Sequence, residues 1–211
     1  TYLEHSLVLS QETAKEAFTS CIGHSIRESM YPIIEDIKVF LIYPQTMRSI
    51  MICGPHKSGK HHLLRCIMQY LKIDTEQLLH IDCAAIALGK LTISDIMQRI
   101  DTSLDQEKSN IILFENLDAL TELPASITTM ETLLRFYQRM AESNELNLLF
   151  LAVTAMNEHF LQLQKLFQKV YELPDLNSRT LKEKYEFVLH FMQNEADAIG
   201  KTISLSSSIL N

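Results

Sequence analysis

No apolar stretch in this chain approaches the roughly 18 residues that a membrane-crossing helix requires, so no spanning segment is expected. Basic residues are in short supply. With 19 Lys and Arg against 26 Asp and Glu, the net charge is −7, which argues against a general nucleic-acid surface and against an anionic membrane face. None of the four cysteines (Cys21, Cys53, Cys66 and Cys83) belongs to a Cys-x-x-Cys pair. That spacing argues against zinc and reads as reduced thiols serving as small core hydrophobes. An intracellular protein is expected, cytoplasmic or nuclear, with peripheral association with an organelle compatible. The sequence has no internal repeat and no low-complexity tract. It opens Thr-Tyr-Leu-Glu-His-Ser, neither a Met start nor a signal peptide, and reads as an excerpt of a longer protein.

What is present is a globular composition, 46% hydrophobic and 21% charged over 211 residues, enough for one large domain or one and a half. Near-continuous apolar runs recur at 49–53, 78–83, 110–115, 147–153 and, more briefly, 169–173. Such runs suit strands buried on both faces. Between them, 62–71, 92–104 and 128–142 carry apolar residues at helical spacing with charged opposite faces. This alternation predicts an α/β fold, a parallel five-stranded sheet sandwiched by helices. Residues 11–43 read as a helical lead-in, and 179–193 as an amphipathic helix. The predicted division is 1–173 for the α/β unit and 174–211 for a second, helical unit begun but not completed.

The most informative local pattern is Gly54-Pro55-His56-Lys57-Ser58-Gly59-Lys60-His61, which fits the phosphate-binding loop Gly-x-x-x-x-Gly-Lys-[Ser/Thr] except at its last position. It follows a predicted strand and opens a predicted helix, the context such a loop needs. Gly54 and Gly59 allow backbone N–H groups to turn around a phosphate where a Cβ would obstruct, and Lys60 supplies a compact charge. His61 replaces the hydroxyl that normally holds Mg²⁺, so the departure falls on the metal rather than on the phosphates. His61 and His62 are adjacent on a helix and project about 100° apart, a poor chelating pair better suited to solvent or a phosphate. Nucleotide binding through residues 54–62, by ATP or ADP, is the expectation.

A loop of this kind also needs a carboxylate at the end of a neighbouring strand. The candidate is Ile111-Ile112-Leu113-Phe114-Glu115-Asn116-Leu117-Asp118-Ala119-Leu120. Together with the loop, this frame resembles the AAA+ ATPases, whose corresponding motif is four apolar residues, Asp-Glu, an apolar residue, Asp and commonly Ala-Leu. The resemblance implies a P-loop NTPase fold followed by the start of a small helical lid. It puts Glu115 where the Mg²⁺ carboxylate stands and Asn116 where the catalytic Glu stands. Glu115 would still hold Mg²⁺ through water, displaced by one methylene, whereas Asn116 cannot take a proton from an attacking water. Further segments resemble the family in order. Phe18 to His24, with Ile22 and Gly23, is similar to the motif near adenine, and Ile34 to Pro44 to the approach to the first strand. Thr154 and Asn157 mark the sensor-like segment, with Ala155 at the sensor position itself. Leu173 to Arg179 resembles the start of the lid.

The family's arginine finger has no counterpart, because no Arg occurs from Ala141 to Ser178. Such a finger contributes on the order of 10³–10⁵ in rate. The layout resembles a degenerate ring of a peroxisome-biogenesis or vesicle-fusion AAA protein. The function this implies is an ATP- or ADP-binding module with weak or no hydrolysis, structural or regulatory within a ring of other AAA+ subunits acting on a protein substrate or adaptor. The alternatives are an active remodelling ATPase and a nucleotide-free interaction scaffold.

Overall fold

The structure is a computed structural model of the 211-residue chain and describes residues 24–43, 47–73, 78–105, 108–122, 124–144, 147–157, 160–198 and 200. Helix α1 (His24–Ile42) leads into strand β1 (Met47–Gly54), which the phosphate-loop segment joins to α2 (Lys60–Leu71). Then follow β2 (Leu78–Asp82), a short α3 (Cys83–Ala87), α4 (Ile93–Ser103) and β3 (Ser109–Glu115). A 3₁₀ turn (Leu117–Glu122) precedes α5 (Pro124–Asn144), β4 (Asn147–Ala155), α6 (Phe160–Gln164) and β5 (Lys169–Glu172). A second 3₁₀ turn (Leu176–Ser178) opens onto α7 (Leu181–Ala198).

The five strands form one parallel sheet in the order β2-β3-β4-β1-β5. Strand alternation divides the core in two. On one face Ile50, Ile52, Ile111, Leu113, Leu149, Leu151 and Val153 pack against α1 and α2, through Ile33, Ile37, Leu63 and Ile67 among others. On the other, Met51, Cys53, Ile112, Phe114, Phe150 and Ala152 pack against α4 and α5, where Ile96, Ile100, Leu133 and Tyr137 are buried. Each such buried aliphatic contributes about 1.5–3 kcal/mol. This is the three-layer α/β arrangement expected from the continuous apolar runs.

Boundaries moved by small amounts, each for a local reason. Thr92 is the cap of α4 rather than its first residue. Its Oγ1 accepts from Asp95 N at 3.2 Å, and Asp95 Oδ2 accepts from Thr92 N at 2.8 Å, a closed capping box. Strand β4 runs on to Ala155 because its backbone continues to pair with β1 as far as Gly54. The part of the lead-in before His24 lies outside the described residues, as do Ile22, Gly23 and the serine-rich stretch 204–208. No described helix is long and apolar enough to cross a membrane.

Candidate functional site

Because β1 lies between β4 and β5, the loop leaving it is gripped from both sides. Gly54 O accepts from Met156 N at 3.3 Å, and Cys53 O accepts from Leu173 N at 2.8 Å. Gly54 has φ 153°, and a Cβ there would lie 2.8 Å from the carbonyl oxygen of Leu173, so this position excludes any side chain. The loop then turns through Lys57 at φ 62° and Gly59 at φ 92°, the latter serving as the N-cap of α2. His56 and Lys57 are exposed, Pro55 is partly covered and Ser58 is buried.

Lys60, the first residue of α2, is only 7% exposed. Its Nζ donates to Pro55 O at 2.7 Å, to Gly54 O at 3.0 Å and to Ser58 Oγ at 3.4 Å. Burial lowers its pKa, opposed by the nearby negative charge of Asp118 and by Cys53. A buried ammonium satisfied by loop carbonyls sits at the end of a twelve-residue helix whose first N–H groups have no intrahelical acceptors.

Facing the loop are the ends of β2, β3 and β4. The parallel register sets Asp82 beside Glu115 and Glu115 beside Val153. Glu115 meets two imidazoles, His80 Nε2 at 2.9 Å from Oε2 and His61 Nε2 at 3.5 Å from Oε1. Asn116 adopts φ 53°, a left-handed conformation that Asn tolerates better than most residues, and its Nδ2 donates to Asp82 Oδ1 at 2.9 Å. The same Asp82 oxygen caps α3 by accepting from Ala84 N at 3.0 Å. These contacts hold the Asp82 carboxyl below its ordinary range, the Asn116 bond being the largest cause. His62 points elsewhere, toward Cys66 Sγ at 3.6 Å. The adjacent histidines therefore diverge as helical geometry requires.

Asp118 ties the exit of β3 to that of β4. Its Oδ1 accepts from Ala155 N at 3.0 Å and lies 3.3 Å from Thr154 Oγ1. Asn157 donates from Nδ2 to Thr121 Oγ1 at 2.8 Å. A cleft of about 250 Å³ is lined by His56 to His62 together with Asn116, Asp118, Val153, Thr154 and Ala155. Of the sequence candidates, the loop residues from His56 onward, Asn116 and Thr154 line this cleft. Gly54 and Pro55 form its base through Lys60, Glu115 stands beside it against His61, and Asn157 is turned toward the 3₁₀ turn.

No protein-family model and no curated protein matches this sequence. Solved structures do. PCH-2 of C. elegans superposes with a TM-score of 0.58 at 16% identity, covering 91% of this chain and 54% of that one. The ORC1 protein of Aeropyrum pernix, solved in complex with DNA, gives 0.58 at 13% identity over 82% of this chain and 50% of that one. Cdc6p from Pyrobaculum aerophilum gives 0.55 at 12%, over 80% and 49%. This chain has the AAA+ fold. It spans about half the length of the proteins it resembles.

The AAA+ fold implies Mg²⁺ beside the phosphates, and the donors present here do not fit it. His61 stands where a hydroxyl is needed, and each oxygen of Glu115 is faced by an imidazole nitrogen. Among the described residues no group of three His, Cys, Asp or Glu could hold a metal ion. Two site residues were missed in the sequence, His80 and Asp82. Their signal was present as alternation, because both break the apolar run of β2 on the same strand face, next to β3. A third, Arg179, was noted only as a lid residue. It is 7% exposed and donates from Nη2 to Ser58 O at 2.8 Å, so it braces the loop from behind.

Proposed function

We propose that this chain is a nucleotide-binding AAA+ module that holds ATP or ADP in the cleft over α2, with weak or no hydrolysis, as a structural or regulatory part of an oligomeric assembly. The observation that carries this reading is the buried Lys60 at the N-terminus of α2, beneath a loop whose Gly54 leaves no room for a side chain. A phosphate placed at this helix end would compete with the carbonyls of Gly54 and Pro55 for the ammonium and would meet the backbone N–H groups of the first turn. Weak hydrolysis follows from Asn116. An amide cannot act as a general base, and this one is committed to Asp82. The absence of Arg from Ala141 to Ser178 leaves no finger to complete a neighbour's site.

In this reading the partners are other AAA+ subunits in a homo- or hetero-oligomeric ring, acting on a protein substrate or adaptor. On the same reading, residues 1–173 are the nucleotide-binding unit and 174–211 are helical lid. The exposed apolar residues Leu181, Val188, Phe191 and Met192 on α7 are consistent with a helix that packs further elements. Calorimetric titration with ATP and ADP, beside Lys60→Ala, tests the proposal. Binding by the native protein that disappears in the variant is the expected result, with turnover at background level. Absence of binding by the native protein would overturn it, and robust turnover would replace it with a working ATPase.

A further inference from the structure

We propose that the site takes its nucleotide as the metal-free polyanion, the His61–Glu115–His80 cluster standing where a cation and its carboxylate would otherwise act. This inference rests on the nucleotide-binding reading above and narrows the species bound. Three observations converge on it. The residue after Lys60 presents an imidazole, and a nitrogen donor is a poor ligand for a hard cation that prefers six oxygens. Glu115, the carboxylate nearest that position, has His80 Nε2 at 2.9 Å on one oxygen and His61 Nε2 at 3.5 Å on the other, so a cation would have to displace a ring nitrogen on either side.

Of the Asp118 and Asp82 carboxylates nearby, each has its Oδ1 engaged by the protein's own donors. Asp118 accepts from Ala155 N at 3.0 Å, and Asp82 accepts from Asn116 Nδ2 and Ala84 N. The Thr154 hydroxyl, which lines the same cleft, donates to Asp118 Oδ1 at 3.3 Å and to Ala155 O at 3.1 Å. What the cleft offers a polyphosphate is the Lys60 ammonium and the helix N-terminus, both donors to an anion, with the His61 ring turned to Glu115 beside them.

The test is calorimetric titration with ADP and with ATP, once in excess EDTA and once in excess Mg²⁺. It uses the native chain and a His61→Thr/His80→Ala variant, which restores the hydroxyl and frees Glu115. Circular dichroism of the variant establishes that it folds, and His80→Ala alone serves as the second variant if it does not. Native Kd values should agree within about threefold between the two conditions, whereas Mg²⁺ should tighten binding to the variant by about tenfold or more. Native binding that tightens about tenfold with Mg²⁺ overturns metal independence while leaving nucleotide binding intact. A variant as insensitive to Mg²⁺ as the native chain overturns the assignment to this cluster. Absence of binding in either condition overturns the nucleotide reading itself and this inference with it.

Discussion

At the strand ends, single residues hold each other in place, and Asn116 shows what this implies for substitution. Its φ of 53° suits Asn, and its amide donates to a carboxylate 2.9 Å away. Replacing it with Glu puts a second carboxylate against Asp82 and a longer side chain in the left-handed region. Each change is unfavourable, by roughly 1–2 kcal/mol in sum. Asn116→Glu by itself should therefore lower stability. The swap Asp82→Asn/Asn116→Glu should recover about half of the loss, a coupling of the size usual for residues in contact. Urea denaturation of both single variants and the pair measures that coupling, and additive losses would show that the two side chains do not interact. This pairing was not legible in the sequence, because 34 residues separate Asp82 from Asn116 and only parallel β2–β3 pairing sets them side by side.

Elements were legible where burial dictates composition. Strands covered on both faces must be apolar throughout, and helices between them must be apolar on one side, so β1, β3, β4, α2, α4 and α5 followed directly from the sequence, and the edge strand β2 from Leu78, Leu79 and Ile81. The short α3 did not, since its five residues complete little more than one turn. The connection between loop and α7 was also hidden. Arg179 lies 121 residues from Ser58, yet donates to its carbonyl at 2.8 Å from a buried position. Arg179→Met keeps the stem and removes the charge-assisted bond, and should cost about 1.5–3 kcal/mol. Hydrogen exchange should then quicken at the start of α7 and in the 54–60 loop while α4 is unchanged. Equal protection in variant and native protein would show that the guanidinium braces nothing. On the opposite flank Tyr171 on β5 donates to Asp36 on α1, tying the edge strand to the first helix.

For the whole molecule, the buried ionisable groups predict an alkaline limit. Burial, then the charge of Glu172, pushes the Cys53 thiol from its ordinary 9.0 up to about 11. The Cys83 thiol is raised further, by burial first and then by Asp82 and Asp118. Tyr137 and Tyr171 are raised by burial and by the hydrogen bonds they give to Asp101 and Asp36. A raised folded-state pKa contributes stability that is complete below the unfolded value and is lost as pH climbs through the folded one. Lys60 acts oppositely, because its pKa is lowered by burial, so alkali relieves part of its cost. With four groups against one, the thermal midpoint should be flat near neutrality and fall once pH passes about 9. The Cys53→Ala/Cys83→Ala protein should show a shallower fall, followed by circular dichroism across the alkaline range. An identical slope would locate the alkaline loss elsewhere.

The sequence by itself determined the layers and the loop. Runs apolar on both faces can be satisfied only inside a covered parallel sheet, and two glycines, the second followed directly by Lys60, constrain the backbone locally between strand and helix. Only the tertiary structure decided what surrounds that loop. The order β2-β3-β4-β1-β5 brings β2 next to β3, which sets His80 and Asp82 against Glu115 and Asn116, and gathers Asp118 and Thr154 under the same cleft. Side-chain contacts across strands depend on neighbour and register. Neither is written in the period of a single strand, and here both fall at the point where the site's chemistry is set.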